Sequence, residues 1–187
     1  MRIISGEARG RTLFAPPGDQ TRPTSDKIRG SLFNILGALV MDAEVLDLFG
    51  GTGALSLESL SRGAARAVIA DTSRQAIEAI RRNAANVLKD ELEERALILR
   101  TDYRTAISGL NGRRFDLVFL DPPYRMLDAY ADAMERLLKA DALNDGAVIV
   151  AERRQNAQIR IPDAFEIYDT RSYGETSIDF VRRRTEE

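Results

Sequence analysis

Three residue types are missing altogether from these 187 positions: cysteine, histidine and tryptophan. The absence of cysteine excludes disulfides, thiolate nucleophiles and cysteine-ligated metals. The absence of histidine removes the commonest general base near neutral pH and the commonest metal ligand. Any chemistry therefore falls to carboxylates, tyrosines, the backbone and a cofactor. Nor is there an apolar run of about 18 residues, so no membrane span is expected. Met1-Arg2-Ile3-Ile4-Ser5-Gly6 lacks the apolar core of a signal peptide, and a cytoplasmic protein is the default expectation. The net charge of −2 gives no overall sign of a nucleic-acid partner, so only its distribution is informative. With 44% hydrophobic residues the chain has enough for a core, and its length suggests one domain with a small appendage.

Residues 1–23 differ from the rest. Arg2-Ile3-Ile4-Ser5 and Arg11-Thr12-Leu13-Phe14 flank Gly6 and Gly10 and read as a small β-hairpin extension, closed by Pro16-Pro17-Gly18. The first thirty residues hold six cations against three carboxylates. That local excess reads either as a solvated edge that discourages strand pairing or as a phosphate-binding arm. Residues 24–187 form the main domain. Thr24 or Ser25 caps a helix whose apolar face includes Ile28, Leu32, Phe33, Ile35, Leu36 and Leu39.

From Glu44 strands and helices alternate. Expected strands are Val45 to Phe49, Arg66 to Asp71, Arg95 to Arg100, Phe115 to Leu120 and Gly146 to Ala151. Expected helices are Ala54 to Arg62, a long one capped by Ser73, and Leu127 to Lys139. This alternation predicts an α/β fold, a Rossmann-like parallel sheet with helices on both faces. Phe165 to Arg171 and Ile178 to Arg183 then read as a closing antiparallel hairpin, making the sheet seven-stranded and mostly parallel.

The strand Phe115 to Leu120 stops in Asp121-Pro122-Pro123-Tyr124. The prolines fix their own φ, and Pro123 also restricts Pro122, so the carbonyls there are preset in direction. An exocyclic amine on a nucleobase is planar because its lone pair is delocalised into the ring. It becomes nucleophilic when acceptors hold its hydrogens so as to favour pyramidal nitrogen. The Asp121 carboxylate and the Pro122 carbonyl are candidate acceptors, and Tyr124 is a candidate stacking platform. The plainer alternative is a strand exit with a core tyrosine.

Asp47-Leu48-Phe49-Gly50-Gly51-Thr52-Gly53 joins the first strand to a helix, a place where glycines let a ligand approach closely. The pattern alone also suits a dinucleotide. Three carboxylates point elsewhere. Asp71, ending the second strand, can bond both hydroxyls of a ribose. Asp102, after the third, lies where an adenine edge belongs, or else caps a helix before Arg104. Asp47 suits a cationic amino-acid tail and repels a pyrophosphate. S-adenosylmethionine fits all three.

Together these stretches resemble the class I S-adenosylmethionine-dependent methyltransferases. Closer still is the resemblance to the bacterial 16S rRNA guanine-N2 methyltransferase family of the RsmD type. It rests on Met1 to Gly6 with Arg9-Gly10-Arg11, Thr21 to Arg29, Leu32 to Leu36, Val45 to Phe49, Leu60 to Ala64, Asp121 to Tyr124 and Tyr173-Gly174-Glu175-Thr176. Gly50-Gly51-Thr52-Gly53 departs conservatively from the family's usual Ala-Gly-Ser-Gly, and Asp71 stands where relatives often carry glutamate.

The resemblance implies methyl transfer from S-adenosylmethionine, leaving S-adenosylhomocysteine, to N2 of one guanine (position 966) in 16S rRNA within small-subunit assemblies. It implies no metal, no membrane partner and a monomer. By position, Asp47, Gly51 and Gly53 hold the methionine end, Asp71 the ribose, and Asp102 and Tyr103 the adenine. Asp121, Pro122 and Tyr124 serve the base, while Arg9, Arg11, Arg22, Lys27 and Arg29 serve the RNA. The rival expectations are methyl transfer to N6 of adenine in DNA or RNA, a non-catalytic RNA-binding assembly factor, and a dehydrogenase.

Overall fold

The computed structural model of the protein describes residues 1–17 and 24–186. In chain order the elements are α1 (Asp26–Leu36), β1 (Glu44–Asp47), α2 (Ala54–Ser61), β2 (Arg66–Asp71), α3 (Arg74–Leu88), a one-turn α4 (Leu92–Arg95), β3 (Ala96–Arg100), α5 (Tyr103–Ser108), β4 (Phe115–Leu120), α6 (Ala129–Lys139), β5 (Leu143–Arg154), β6 (Phe165–Tyr173) and β7 (Thr176–Arg183). The strands form one sheet in the order β3-β2-β1-β4-β5-β7-β6. The first five are parallel to one another, and β7 runs antiparallel between β5 and β6. This is the seven-stranded, mostly parallel α/β sheet with a closing antiparallel hairpin expected from the sequence.

Successive strand residues face opposite sides, and both sides are covered, which is why the central strands are apolar throughout. On one side α1, α2 and α3 bring Leu32, Phe33, Leu57, Leu60 and Ile80 against Val45, Ile69, Leu117, Phe119, Val148 and Val150. On the other, α5 and α6 bring Ile107, Tyr130, Met134 and Leu137 against Leu46, Val68, Val118, Leu120, Ile149 and Ala151. Among the described residues no helix is long and apolar enough to cross a membrane.

Local signals account for the element ends. The Ser25 side chain accepts from the Ile28 amide (3.2 Å) and starts α1, and Ser73 does the same for α3 through Ala76 (3.2 Å). The amino-terminal arm closes by an antiparallel bridge between Arg2 and Thr12, with the Ile3 amide donating to the Arg11 carbonyl (2.9 Å). Gly6, at φ +89°, lies so close to α2 that a Cβ would sit 1.9 Å from the Ser61 carbonyl oxygen. Ile3, Ala8 and Leu13 of this arm are buried in the core beneath α1–α3. At the other end, the hydroxyls of Tyr173 and Ser31 lie 2.6 Å apart and tie the β6–β7 hairpin to α1.

Candidate active site

The order of the sheet reverses between β1 and β4, so their carboxyl ends open into a crevice. The glycine loop leaves one end and Asp121-Pro122-Pro123-Tyr124 leaves the other. Counting by twos shows what shares this crevice. Asp47 follows Val45, Asp71 follows Ile69, Asp121 follows Phe119 and Glu152 follows Val150, and all four of those apolar residues face α1–α3. Four carboxylates at the ends of four adjacent strands therefore belong to one face. Among the described residues, no group of three or more is gathered closely enough to hold a metal ion, so they form a row and not a cluster.

The glycine loop is shaped by close contacts on one side and open space on the other. A Cβ at Gly50 would lie 2.7 Å from Ile69 and 2.9 Å from Ile80. At Gly51, φ is +60° and a Cβ would meet nothing within 4 Å. Gly53 precedes α2 at its amino end, with no side chain capping the helix. Asp71 accepts from the Gly51 amide (3.0 Å) through one oxygen and from the Ser73 amide (2.9 Å) through the other. Each oxygen keeps a further lone pair for a ligand hydroxyl.

Asp47 is buried, accepting from the Phe49 amide and the Ser56 hydroxyl, each at 3.2 Å. Burial pushes its carboxyl from an ordinary 3.8 up to about 7. The two hydrogen bonds resist that rise and the Asp71 charge adds to it. Asn83 on α3 ties the loop to the amino-terminal arm by donating to the carbonyls of Thr52 and Phe14, both at 2.9 Å.

Asp102 caps α5, accepting from the Thr105 amide (2.9 Å) and hydroxyl (3.0 Å), and those bonds hold its carboxyl below the usual value. Tyr103 is buried. Its ring packs 5.5 Å from Phe49, and its hydroxyl donates to Asp132 (2.6 Å).

At the end of β4, Asp121 has no hydrogen-bond partner among the described residues, and neither does the Pro122 carbonyl. Asp121 is open to solvent along one side, yet protein crowds it at the crevice floor. That crowding, and then the negative charges of Glu152 and Asp47, hold its carboxyl well above the usual range. Tyr124 is 60% exposed, with the Arg154 guanidinium carbon 3.7 Å from its ring centre. The Tyr130 hydroxyl donates to the Glu152 carbonyl and fixes the end of β5 onto α6.

Glu152, Asn83, Phe49, Ser56 and Arg154 were not singled out by the sequence. Glu152 had a usable signal, being a carboxylate at the end of a buried strand, as Asp121 is.

The described cationic residues do not gather in one place. Lys27 is exposed in the first turn of α1, whose entry residue Thr24 donates to Glu152 (2.7 Å) at the crevice. Arg9 is exposed and Arg11 donates to the Asn86 carbonyl in the last turn of α3, so both lie toward the amino ends of the strands. Arg22 lies outside the described residues.

Arg29 requires a correction: it is not an RNA-facing residue. Its side chain is fully buried, paired with Glu58 (3.4 Å) and Asp26, and it donates to the Arg2 carbonyl (2.8 Å). The buried Glu58 carboxylate demands a cation, and Arg29 supplies it.

Comparison with known proteins agrees with this geometry. A family model described as Conserved hypothetical protein 95 matches residues 1–182. YlbH of Bacillus subtilis strain 168 is 34% identical over 190 residues, covering 98% of this chain and 100% of that one. Ribosomal RNA small subunit methyltransferase D of Escherichia coli K12 is 32% identical over 189 residues, covering 100% of this chain and 91% of that one. The solved structure of yhhF from Escherichia coli superposes with a TM-score of 0.84 at 29% identity, covering 98% and 97% of the two chains.

Proposed function

The chain belongs to the RsmD-type methyltransferase family, and from that footing we propose that it transfers a methyl group from S-adenosylmethionine to the exocyclic N2 of a guanine in 16S rRNA. The observation that supports this best is the Asp121 carboxylate beside the Pro122 carbonyl, both without a partner among the described residues, at the end of the strand paired with β1, from which the glycine loop leaves. The cofactor fits these residues. Space at Gly51 admits the methionine portion, Asp47 receives its ammonium, Asp71 has lone pairs for the ribose, and the Phe49–Tyr103 pair beside Asp102 offers a surface for the adenine. Bound there, S-adenosylmethionine supplies an electrophilic methyl on a sulfonium and departs as S-adenosylhomocysteine.

Asp121 and Pro122 accept the amine's two hydrogens and draw the nitrogen lone pair out of the ring. An N–C bond forms as the S–C bond breaks, and the surplus N2 proton leaves through Asp121 or water. Tyr124, steadied on one face by Arg154, stacks on the base. The base must leave its helical stack to enter, which is least costly in a single-stranded loop.

The test is transfer of labelled methyl to 16S rRNA, naked and in partly assembled small subunits, with the modified nucleoside identified. N2-methylguanosine at one site is expected. N6-methyladenosine would move the target to adenine, and no transfer despite cofactor binding would overturn the reading.

Two further results are expected. Replacing Arg9, Arg11 and Arg22 by alanine together should lower the slope of log affinity against log salt by up to about 2, at roughly 0.7 per single-strand phosphate contact. An unaltered slope would return the arm to a purely structural role.

Asp47 should make stability pH-dependent. Its carboxyl titrates at about 7 when folded and near 3.8 when unfolded, so the folded state holds the proton more tightly. The associated stability is fully present below the lower value and lost as pH rises through the upper. On the order of 4 kcal/mol is at stake for a shift of this size. A ligand ammonium should offset that loss, so the rise in Tm given by S-adenosylhomocysteine should grow from pH 5.5 to 7.5 and stay flat in Asp47→Asn. The same profile in both proteins would remove Asp47 from the cofactor site.

A further inference from the structure

Resting on the reading above, we infer that Glu152 reads the Watson–Crick edge of the target base, accepting from N1–H of guanine while Asp121 accepts from N2–H. β4 and β5 are paired in parallel with Leu120 opposite Ala151, so Asp121 and Glu152 are the next residues of the two strands in register. Both fall on the α1–α3 face, about one strand spacing apart, ~4.8 Å between backbones. That spacing suits two acceptors addressing neighbouring donors on one base edge.

The surroundings of Glu152 leave it available. One carboxylate oxygen receives the Thr24 hydroxyl (2.7 Å), and the other has no partner among the described residues. Among the described residues no cation pairs with it: the adjacent Arg153 is paired with Asp179 (2.6 Å) and Arg154 lies over Tyr124. Its charge is felt by Asp121 and helps raise that carboxyl. Two carboxylates facing one small space repel each other unless a group with several donors comes between them.

Guanine is such a group. Its N1–H and N2–H₂ stand side by side, and ionised carboxylates only accept. Adenine presents an amine next to N1, a bare acceptor, which would place a lone pair against a carboxylate. The Asp-Pro-Pro-Tyr motif does not choose between purine amines, because any exocyclic amine satisfies Asp121 and Pro122. Glu152 makes the choice. A site built to receive a donor strongly rejects an analogue that lacks it.

The experiment uses the full-length protein and the 16S rRNA substrate established by the methyl-transfer assay, assembled by ligation with guanine or 2-aminopurine at the target position. 2-Aminopurine keeps the N2 amine and replaces N1–H with an acceptor. Wild-type enzyme should favour guanine in kcat/KM by on the order of 10²-fold or more. Glu152→Gln, whose amide can donate to N1, should lose guanine turnover, hold or gain on 2-aminopurine, and narrow the ratio to within about tenfold. Unchanged S-adenosylhomocysteine affinity would show that the variant is folded. Thr24→Val, which removes only the hydrogen bond to Glu152, should keep the wild-type ratio.

A wild-type enzyme that takes both bases equally overturns the inference without any variant. So does a Glu152→Gln enzyme with the wild-type ratio, or a Thr24→Val enzyme that copies its loss, which would make Glu152 an anchor for α1. In each of those cases N2-methylguanosine is still formed and the proposed function stands. Failure of the wild type to methylate guanine at all overturns both.

Discussion

Asp121→Ala is expected to lower kcat by about 10²–10³-fold, the usual consequence of removing one preorganised group that acts on the transition state. S-adenosylhomocysteine affinity should stay within about threefold, because the cofactor portion is assigned to the β1, β2 and β3 ends, and Asp121 follows β4. Nothing within the described structure uses the Asp121 carboxylate, so its loss breaks no internal bond and the effect should be confined to turnover. The pH profile supplies a second readout. Asp121 must be ionised to accept the amine's hydrogen, and crowding together with Glu152 and Asp47 holds its carboxyl high. Turnover in the wild type should therefore climb with pH on the acidic side, and Asp121→Asn, which keeps one acceptor oxygen but cannot ionise, should lose that limb. Unchanged turnover in Asp121→Ala, or the same limb in Asp121→Asn, would remove Asp121 from the chemistry.

That prediction rests on a stretch that was legible in the sequence because its signals are local. An apolar run ending in Asp-Pro-Pro needs no knowledge of distant residues to be read as a strand with a rigid, carboxylate-bearing exit, and β4 ends at Leu120 as expected. Ser25 and Ser73 were similarly readable as caps, since the bonds they make span three residues.

Boundaries suffered where a signal was ambiguous. β5 begins at Leu143 and not Gly146, because the polar Asn144-Asp145-Gly146 reads as a turn but is absorbed into a bulge between the pairings with Phe115 and Leu117. α5 is six residues long, too short for any helical period to emerge, so only its Asp102 cap hinted at it. Glu152 was passed over because a charge looks like the end of a strand, and its meaning depends on the register with β4, which no local pattern encodes.

Arg29 shows the same limit most clearly. Within α1 it looks like one more cation beside Lys27, but its partner Glu58 is 29 residues away on α2. Glu58 also accepts from the amides of Ile4 (2.9 Å) and Ser5 (3.1 Å) and from Arg62 (2.8 Å). The arm, α1 and α2 therefore meet at one buried charge.

Arg29→Met should accordingly destabilise the protein by about 1–3 kcal/mol, the cost of buried acceptors losing a donor, because Glu58 keeps its pairing with Arg62. That cost falls on the Arg2 and Thr24 carbonyls, which lose their donor, and on Glu58, which keeps only Arg62 of its two cations. Arg29→Met combined with Glu58→Gln removes both charges and should recover a large part of the loss, since the glutamine oxygen can still accept from one of the Ile4 and Ser5 amides. Denaturant unfolding of the two proteins measures the difference directly. A double variant no more stable than the single would mean that the arm's packing, and not the charge pair, sets the cost. Salt dependence of RNA binding gives an independent check. A buried guanidinium releases no counterions, so the Arg29→Met, Glu58→Gln double variant should leave the slope unchanged where Lys27→Ala lowers it by about 0.7. A lowered slope in the double variant would put the guanidinium back on the RNA-facing surface.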